Sequence, residues 1–394
     1  MKKIFVTVLC TCMLAGIFTA CSTNDPTAVK SEPEPVVVSN AAESAPSAAE
    51  KPPASIDAEA KPLSIAILIP GLLGDKSFFD ATNEAKPLLE KELGATVKVI
   101  EMGTDQKKWY PTFVDYCEQD IDLIITVAES ASEVLTEAAI EFPDQKFMNI
   151  QSGSNYEPPA NVYAVCVNAG EMSYLAGVAA ALKAKEIGSD QIGFIGGMDI
   201  PGINEFLVGY IYGAQQINPD IKVAYSYVGA FNDPSKAKEN ALVMYQGASV
   251  IYQAAGGSGL GVFNAAKEKT QKGTQCFAIG VDSDQAMSIK ESDPDAAKLI
   301  ITSAVKKIPE MTLGIVQRYV NGEIQFGILD TLGLKEQAVG IAKNEFYMDL
   351  LSDADRNLID DIEARVISGE LEINEVSSTM STEEVDRIRN SVKP

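Results

Sequence analysis

The sequence predicts an α/β protein built as two doubly wound lobes, each a mostly parallel sheet covered by helices on both faces. Three observations carry this. From Leu63 to about Gln285, short apolar runs alternate with stretches of helical apolar spacing, the pattern of βαβ units. The rhythm occurs twice, and a single sheet of that many strands would be unusually wide. Glycine clusters and lone carboxylates stand where strands end, which is where parallel α/β sheets bind ligands.

Taken in order, Ser64–Ile69 is an apolar strand and Phe78–Leu93 a helix by its apolar spacing. Thr96–Ile100, Leu123–Val127 and Lys146–Ile150 read as strands, with helices at Trp109–Glu118 and Ala131–Glu141 between them. A strand at Val162–Val167 and an Ala-rich helix at Glu171–Lys185 follow. The pattern then restarts with strand Gln191–Ile195, helix Ile203–Asn218, strand Lys222–Val228 and helix Pro234–Gln246. Strand Ser249–Gln253, helix Gly261–Gln271 and strand Gln275–Val281 continue it. Leu299–Ser303 reads as a strand returning between lobes, Pro309–Tyr319 as a helix, Gln325–Leu334 as extended and Asp353–Ser368 as an amphipathic helix. The residues from about Val376 are polar and are expected to fray.

The first sixty residues carry no such pattern. Lys2 and Lys3 precede an apolar run from Ile4 to Phe18, and the small residues Thr19 and Ala20 lead into Cys21. This is a secretory signal with a lipoprotein-type cleavage site, too short to span a bilayer as a permanent helix. Cys21 is therefore the expected lipidation site, anchored by acyl chains. From Ser22 to about Lys61 the chain is rich in Ala, Pro, Glu, Ser and Val, and cannot bury enough apolar surface to offset its ordering entropy. The resulting division is signal peptide 1–20, anchor and disordered tether 21–62, N-terminal lobe 63–167 and C-terminal lobe 168–303. Segments returning between the lobes, with a closing helix, take 304–375, and a polar tail takes 376–394. The expected location is the extracytoplasmic face of the cell membrane, periplasmic or cell surface, held by lipid alone.

Composition narrows the function. With 55 acidic against 32 basic residues, the chain has no basic stripe to neutralise nucleic-acid phosphates. It contains no histidine, which removes Ser-His-Asp and Cys-His mechanisms and most zinc and iron sites. No enzymatic activity, cofactor or metal is expected. Beyond Cys21, the cysteines Cys117, Cys166 and Cys276 are too few and too widely spaced for a disulfide framework.

The loops after strands hold the candidate ligand-binding residues. Pro70-Gly71-Leu72-Leu73-Gly74-Asp75-Lys76-Ser77-Phe78-Phe79-Asp80 opens a helix, and Asp75 or Ser77 can cap it; a glycine turn with a capping aspartate accounts for this loop equally well. Ala254-Ala255-Gly256-Gly257-Ser258-Gly259-Leu260-Gly261 lets a ligand lie against bare backbone, and lacks the Gly-Lys-Ser/Thr ending of a phosphate loop. Asp282, ending the strand Ile279-Gly280-Val281, can accept hydrogen bonds from two adjacent hydroxyls. Asp282 and Asp284 could together meet a metal, but no third carboxylate stands at EF-hand spacing, and no metal site is expected. Lys306 follows a strand end and can meet a polar ligand atom, pair with Asp282 or remain solvated. Phe231 follows another strand end and is either core or a stacking platform for a planar ring.

In this order and spacing the chain resembles the basic membrane protein family of lipoproteins, the purine-nucleoside-receptor type of substrate-binding protein. The motifs are Gly74-Asp75-Lys76-Ser77-Phe78, Ser173-Tyr174-Leu175-Ala176-Gly177 and Phe194-Ile195-Gly196-Gly197-Met198. Phe231-Asn232-Asp233-Pro234, Ala255-Gly256-Gly257-Ser258-Gly259, Gly280-Val281-Asp282-Ser283-Asp284-Gln285 and Ile367-Ser368-Gly369-Glu370 complete the set. The resemblance covers roughly Leu63 to Glu375. It implies a type I periplasmic-binding-protein fold, two Rossmann-like lobes joined by a hinge and closing on a nucleoside, with an ABC permease of the inner membrane as partner. It implies that Asp282, Lys306 and Gly257 hold ribose hydroxyls and that Phe231 stacks on the base. The chain departs from the pattern at Phe79, where the family carries an Asn that contacts the base edge, and at Gln151, where a carboxylate is common. The sugar-binding half is thus retained, while the resemblance does not fix base selectivity. A sugar-type binder or sensor on the same scaffold, or a surface adhesin, are the alternatives.

Overall fold

The computed structural model describes residues 61–373 and 379–394; the expected signal segment, Cys21 and nearly all of the tether lie outside the described residues. The first βα run comprises β1 (Ser64–Ile69), α1 (Phe78–Leu93), β2 (Thr96–Glu101), α2 (Trp109–Cys117), β3 (Leu123–Val127), α3 (Ser132–Glu141), β4 (Phe147–Ile150) and β5 (Val162–Val167). The second begins with α4 (Ala169–Glu186), β6 (Gln191–Gly196), α5 (Pro201–Ile217), β7 (Lys222–Tyr227), α6 (Pro234–Met244) and β8 (Val250–Ala254). It continues through α7 (Leu260–Gln271), β9 (Phe277–Asp282), the short helices α8 (Gln285–Ile289) and α9 (Pro294–Ala297), and β10 (Ile300–Lys306). The chain ends with α10 (Ile308–Val320), β11 (Ile328–Leu332), β12 (Val339–Ile341), α11 (Glu345–Leu350), α12 (Asp353–Ser368) and α13 (Thr382–Ser391).

Two six-stranded sheets result, ordered β11-β5-β4-β3-β1-β2 and β12-β10-β9-β8-β6-β7. Every pairing is parallel except β12 against β10. Strands β3, β5, β8 and β9 are buried at every residue, which explains their unbroken apolar sequences: helices cover both faces, so no alternation is needed. This is the two-lobed periplasmic-binding-protein architecture, and each lobe has a switch point where strand order reverses, β1/β3 in the first and β6/β8 in the second.

Helix α4 is buried on nearly all sides and lies against α5. A Cβ at Gly177 or Gly213 would collide with the backbone carbonyl of Tyr210 or Tyr174 on the facing helix, so these glycines set the close approach. The chain passes between sheets after β5, between β10 and β11, and between β11 and β12. Backbone bonds knit these crossings together: Asn168 N to Leu332 O at 2.9 Å and Lys307 N to Ala338 O at 2.9 Å.

Two expectations are corrected. The stretch at Leu299–Ser303 does not run between lobes; β10 is an interior strand of the second sheet, hydrogen-bonded to β9 and β12. The strand that returns to the first sheet is β11, beside β5. The polar tail is not frayed over Thr382–Ser391 but forms α13, opened by a capping box in which Ser381 and Glu384 satisfy each other's backbone N–H groups. Val385, Ile388 and Val392 bury one face of it at helical spacing, a stripe outnumbered by charged residues.

Candidate functional site

The site grows from the carboxyl ends of β1, β9 and β10. Asp282 ends β9 with φ 64, a left-handed conformation uncommon for a residue bearing a side chain, and turns its carboxylate toward the other lobe. Its Oδ2 accepts a hydrogen bond from Ser77 Oγ at 2.7 Å, across the lobes. Its Oδ1 stands 3.2 Å from Lys306 Nζ, an ion pair whose angle does not make a hydrogen bond, so this buried oxygen has acceptor capacity left over. Lys306 in turn lies 5.1 Å from the ring of Phe78 and 4.9 Å from that of Phe206. All three polar residues are buried, at 0 % exposure for Ser77, 6 % for Asp282 and 7 % for Lys306. An ion pair this dry persists only because aromatic faces and the Ser77 hydroxyl replace water.

Two more bonds close the lobes at the same place. Lys76 O accepts from Ser283 Oγ and Gln285 Nε2, each at 3.0 Å. Gln285 is itself held by Gln253 at 2.6 Å and by Val281 N at 2.8 Å. The glycine loop approaches from the β8 end: a Cβ on Gly257 would lie 3.3 Å from Phe231 O and 3.6 Å from Asp75 Cα and Cβ, so the backbone itself faces the first lobe. Ser258 fastens this loop to the Phe231 loop, donating to Ala230 O at 2.9 Å and accepting from Asp233 N at 2.8 Å.

The structure therefore brings Ser77, Asp282 and Lys306 into direct contact and sets Gly257 against Asp75. Asp75 spends its carboxylate at the start of α1, accepting from Ser77 N and Phe79 N at 3.0 Å and from Asp80 N at 3.1 Å. Burial raises its pKa against those bonds. Phe231 is 39 % exposed, with its ring against Gly197 of the neighbouring loop. Phe79 is half-buried, its ring against Gly71 and 5.6 Å from that of Phe78. Gln151 ends β4 at the same edge of the first sheet, in a left-handed conformation with its Oε1 buried and unpartnered; it has no direct bond to the Asp282 cluster.

Sequence reasoning did not single out Phe206, Gln253 or Glu205. Glu205, on α5, is 6 % exposed and accepts from Gly170 N at 3.1 Å, the first turn of α4. Burial pushes its carboxyl up to about 7, opposed by that hydrogen bond and by Lys306. The signal was present as an acid inside an otherwise apolar helix, Asn204-Glu205-Phe206-Leu207-Val208. The thiol of Cys166 is raised to about 12 by burial, as is that of Cys117, and that of Cys276 to about 11, so none is poised as a nucleophile. Two shallow depressions, of about 300 Å³ beside Glu171 and about 400 Å³ beside Cys117, lie away from this cluster and gather no buried polar network. Among the described residues no helix is long and apolar enough to cross a membrane, and no three acidic or cysteine side chains are grouped to hold a metal.

Residues 63–377 match the model of the Bmp family, described as ABC transporter substrate-binding protein PnrA-like. Basic membrane protein D of Borreliella burgdorferi is 30% identical over 294 residues, covering 74% of this chain and 82% of that protein. The ABC transporter nucleoside-binding protein BmpA of Lactococcus lactis subsp. cremoris is 33% identical over 230 residues, 57% of this chain and 64% of that one. Among solved structures, an ABC transporter system solute-binding protein from Aeropyrum pernix K1 superposes with a TM-score of 0.72 at 27% identity, over 84% of this chain and 97% of that one. The family consists of solute-binding proteins rather than enzymes. On these comparisons the chain belongs to the PnrA-like family of ABC transporter substrate-binding proteins.

Proposed function

We propose that this chain binds a nucleoside between its lobes and presents it to an ABC permease, tethered by lipid on Cys21 at the extracytoplasmic face of the membrane. The observation that carries the ligand class is the buried Asp282–Lys306 pair, with an acceptor oxygen uncommitted on Asp282. A carboxylate and an ammonium side by side can pair both hydroxyls of a ribose diol, one accepting and one donating. Backbone at Gly257 allows the sugar to approach closely, and half-exposed Phe231 offers a face for the base. In this reading Ser77 completes the sugar end, Asp75 holds the loop that carries it, and Phe79 and Gln151 modify base selection. The nucleoside-binding name of the lactococcal relative points the same way.

Thermal melts with adenosine, guanosine, inosine, uridine and free ribose, beside native mass spectrometry of the protein as purified, test this. A rise in melting temperature with nucleosides is expected; a rise with ribose alone would move the ligand to the sugar class, and no rise with any would reject transport of nucleosides. For the anchor, Cys21→Ser should release the protein from the membrane fraction, and continued partitioning with membranes would discard that assignment.

A further inference from the structure

The family match ends at residue 377, and α13 lies wholly beyond it, yet α13 is attached to the cleft. Arg389, at 9 % exposure, projects from α13 into the second lobe. Its Nη1 donates to both carboxylate oxygens of Asp199, at 3.2 and 3.1 Å, and to Tyr227 Oη at 3.1 Å. Its Nε is held by Asp386 at 2.8 Å, and its guanidinium lies 5.1 Å from the Tyr225 ring and 5.9 Å from the Tyr227 ring. Asp199 also accepts from Asn204 Nδ2 at 2.8 Å, and Asn204 in turn accepts from Tyr227 Oη. A second attachment is backbone to backbone: Val223 N of β7, the edge strand of the second sheet, donates to Val392 O at 2.8 Å.

Asp199 belongs to the loop Gly197-Met198-Asp199-Ile200, which joins β6 to α5 beside the cleft. This loop is the floor under Phe231: the Phe231 ring lies against Gly197, where a Cβ would collide with it, and Gly229 N donates to Gly197 O at 2.8 Å. One Nη1 spans both carboxylate oxygens of Asp199 while the buried guanidinium lies beside two tyrosine rings, which fixes the arginine's geometry although the Asp199 carboxylate itself is 47 % exposed. We infer that α13 is a strap that holds the Gly197–Ile200 loop in place through Arg389, so that a helix outside the family match sets the seat of Phe231. Arg389 is thus a positioning residue: it acts on the ligand face indirectly, through Asp199 and Tyr227.

Hydrogen exchange of the whole chain reads this directly. Arg389→Ala should speed exchange of the amides of 197–204 and of Gly229 by about tenfold or more, while those of β1 and β3 in the other lobe stay unchanged. Arg389→Lys keeps a charge near Asp199 but loses the bonds of the planar guanidinium to Asp386 and its stacking on the tyrosines, and should fall between. Unchanged exchange at 197–204 in folded Arg389→Ala protein would overturn the strap. Should that variant fail to fold, Asp199→Ala removes the acceptor from the loop side and is judged by the same criterion. The consequence for ligand rests on the nucleoside reading: with inosine as probe, Arg389→Ala should bind about three- to tenfold more weakly. If the wild type binds no nucleoside, that reading fails while the exchange result still decides the strap.

Discussion

Ser77 of the first lobe donates its hydroxyl at 2.7 Å to Asp282 of the second, and the other oxygen of the same carboxylate faces Lys306 at 3.2 Å. One buried aspartate is therefore both the latch between lobes and the group proposed to hold ligand hydroxyls. In that proposal, closure and binding are linked, because a ligand on Asp282 would sit where Ser77 and Lys76 of the first lobe also meet the second lobe.

The pair itself should behave as a unit. Removing one partner of a buried ion pair leaves an uncompensated charge at a cost of about 3–5 kcal/mol, whereas replacing both is close to neutral. Lys306→Met should therefore lower stability strongly, and Asp282→Asn combined with Lys306→Met should recover most of the loss. Urea unfolding of the two single variants and the double checks this. Additive losses would mean that the two groups do not act together.

For ligand affinity, Asp282→Ala should cost a charge-assisted hydrogen bond, about 1.5–3 kcal/mol, which corresponds to roughly ten- to a hundredfold or somewhat more. Calorimetry of wild type and variant against the nucleosides that stabilise the wild type is the measurement. An unchanged dissociation constant would take Asp282 out of the ligand site, whatever its part in the latch.

Glu205 predicts a pH dependence with a definite sign. Its carboxyl is raised from 4.5 to about 7, so the folded state holds a proton through a range where the unfolded chain has lost it. Stability from this group is full below the unfolded value and falls as pH rises from about 4.5 to about 7, by roughly 3 kcal/mol for a shift of that size. Asp75, Glu171 and Asp284 are raised in the same direction by burial, so the total slope is shared. Glu205→Gln keeps an acceptor for Gly170 N and should flatten the part due to Glu205. Melting curves from pH 4 to 8 that run parallel for wild type and variant would contradict it.

Much of this was legible in the sequence because its determinants are local. Apolar runs such as Leu123–Val127 announce strands buried on both faces, and the glycines and Asp282 after strands announce the loops that meet between the lobes. What was not legible depends on partners far away in the chain. Val339–Ile341 is too short to read as a strand and exists by pairing with β10, while the register of β10 against β9 brings Lys306 beside Asp282. The apolar face of α13 is three residues in a charged segment, and gains its meaning only against α5 and β7. Glu205 hides in an apolar helix, since a sequence shows an acid but not that water is excluded from it.

The last prediction concerns base selection. Phe79 sits two residues beyond Ser77, half-buried, with its ring over Gly71 and beside Phe78, whose own ring faces Lys306. An aromatic there presents apolar area and no donor or acceptor toward a base edge. Apolar pockets discriminate between similar ligands weakly, while buried polar groups left unpaired discriminate strongly. The wild type should therefore accept several bases within about tenfold of one another while still requiring the ribose hydroxyls held by Asp282 and Lys306. Phe79→Asn introduces an amide and should sharpen the preference toward purine nucleosides, at some cost in stability because the ring packs over Gly71. Competition among adenosine, guanosine, inosine, uridine and their 2′-deoxy forms against both proteins measures it. A wild type that strongly prefers one purine, unaltered by Phe79→Asn, would place base reading on other residues, with Gln151 and its unpartnered buried oxygen the next to test.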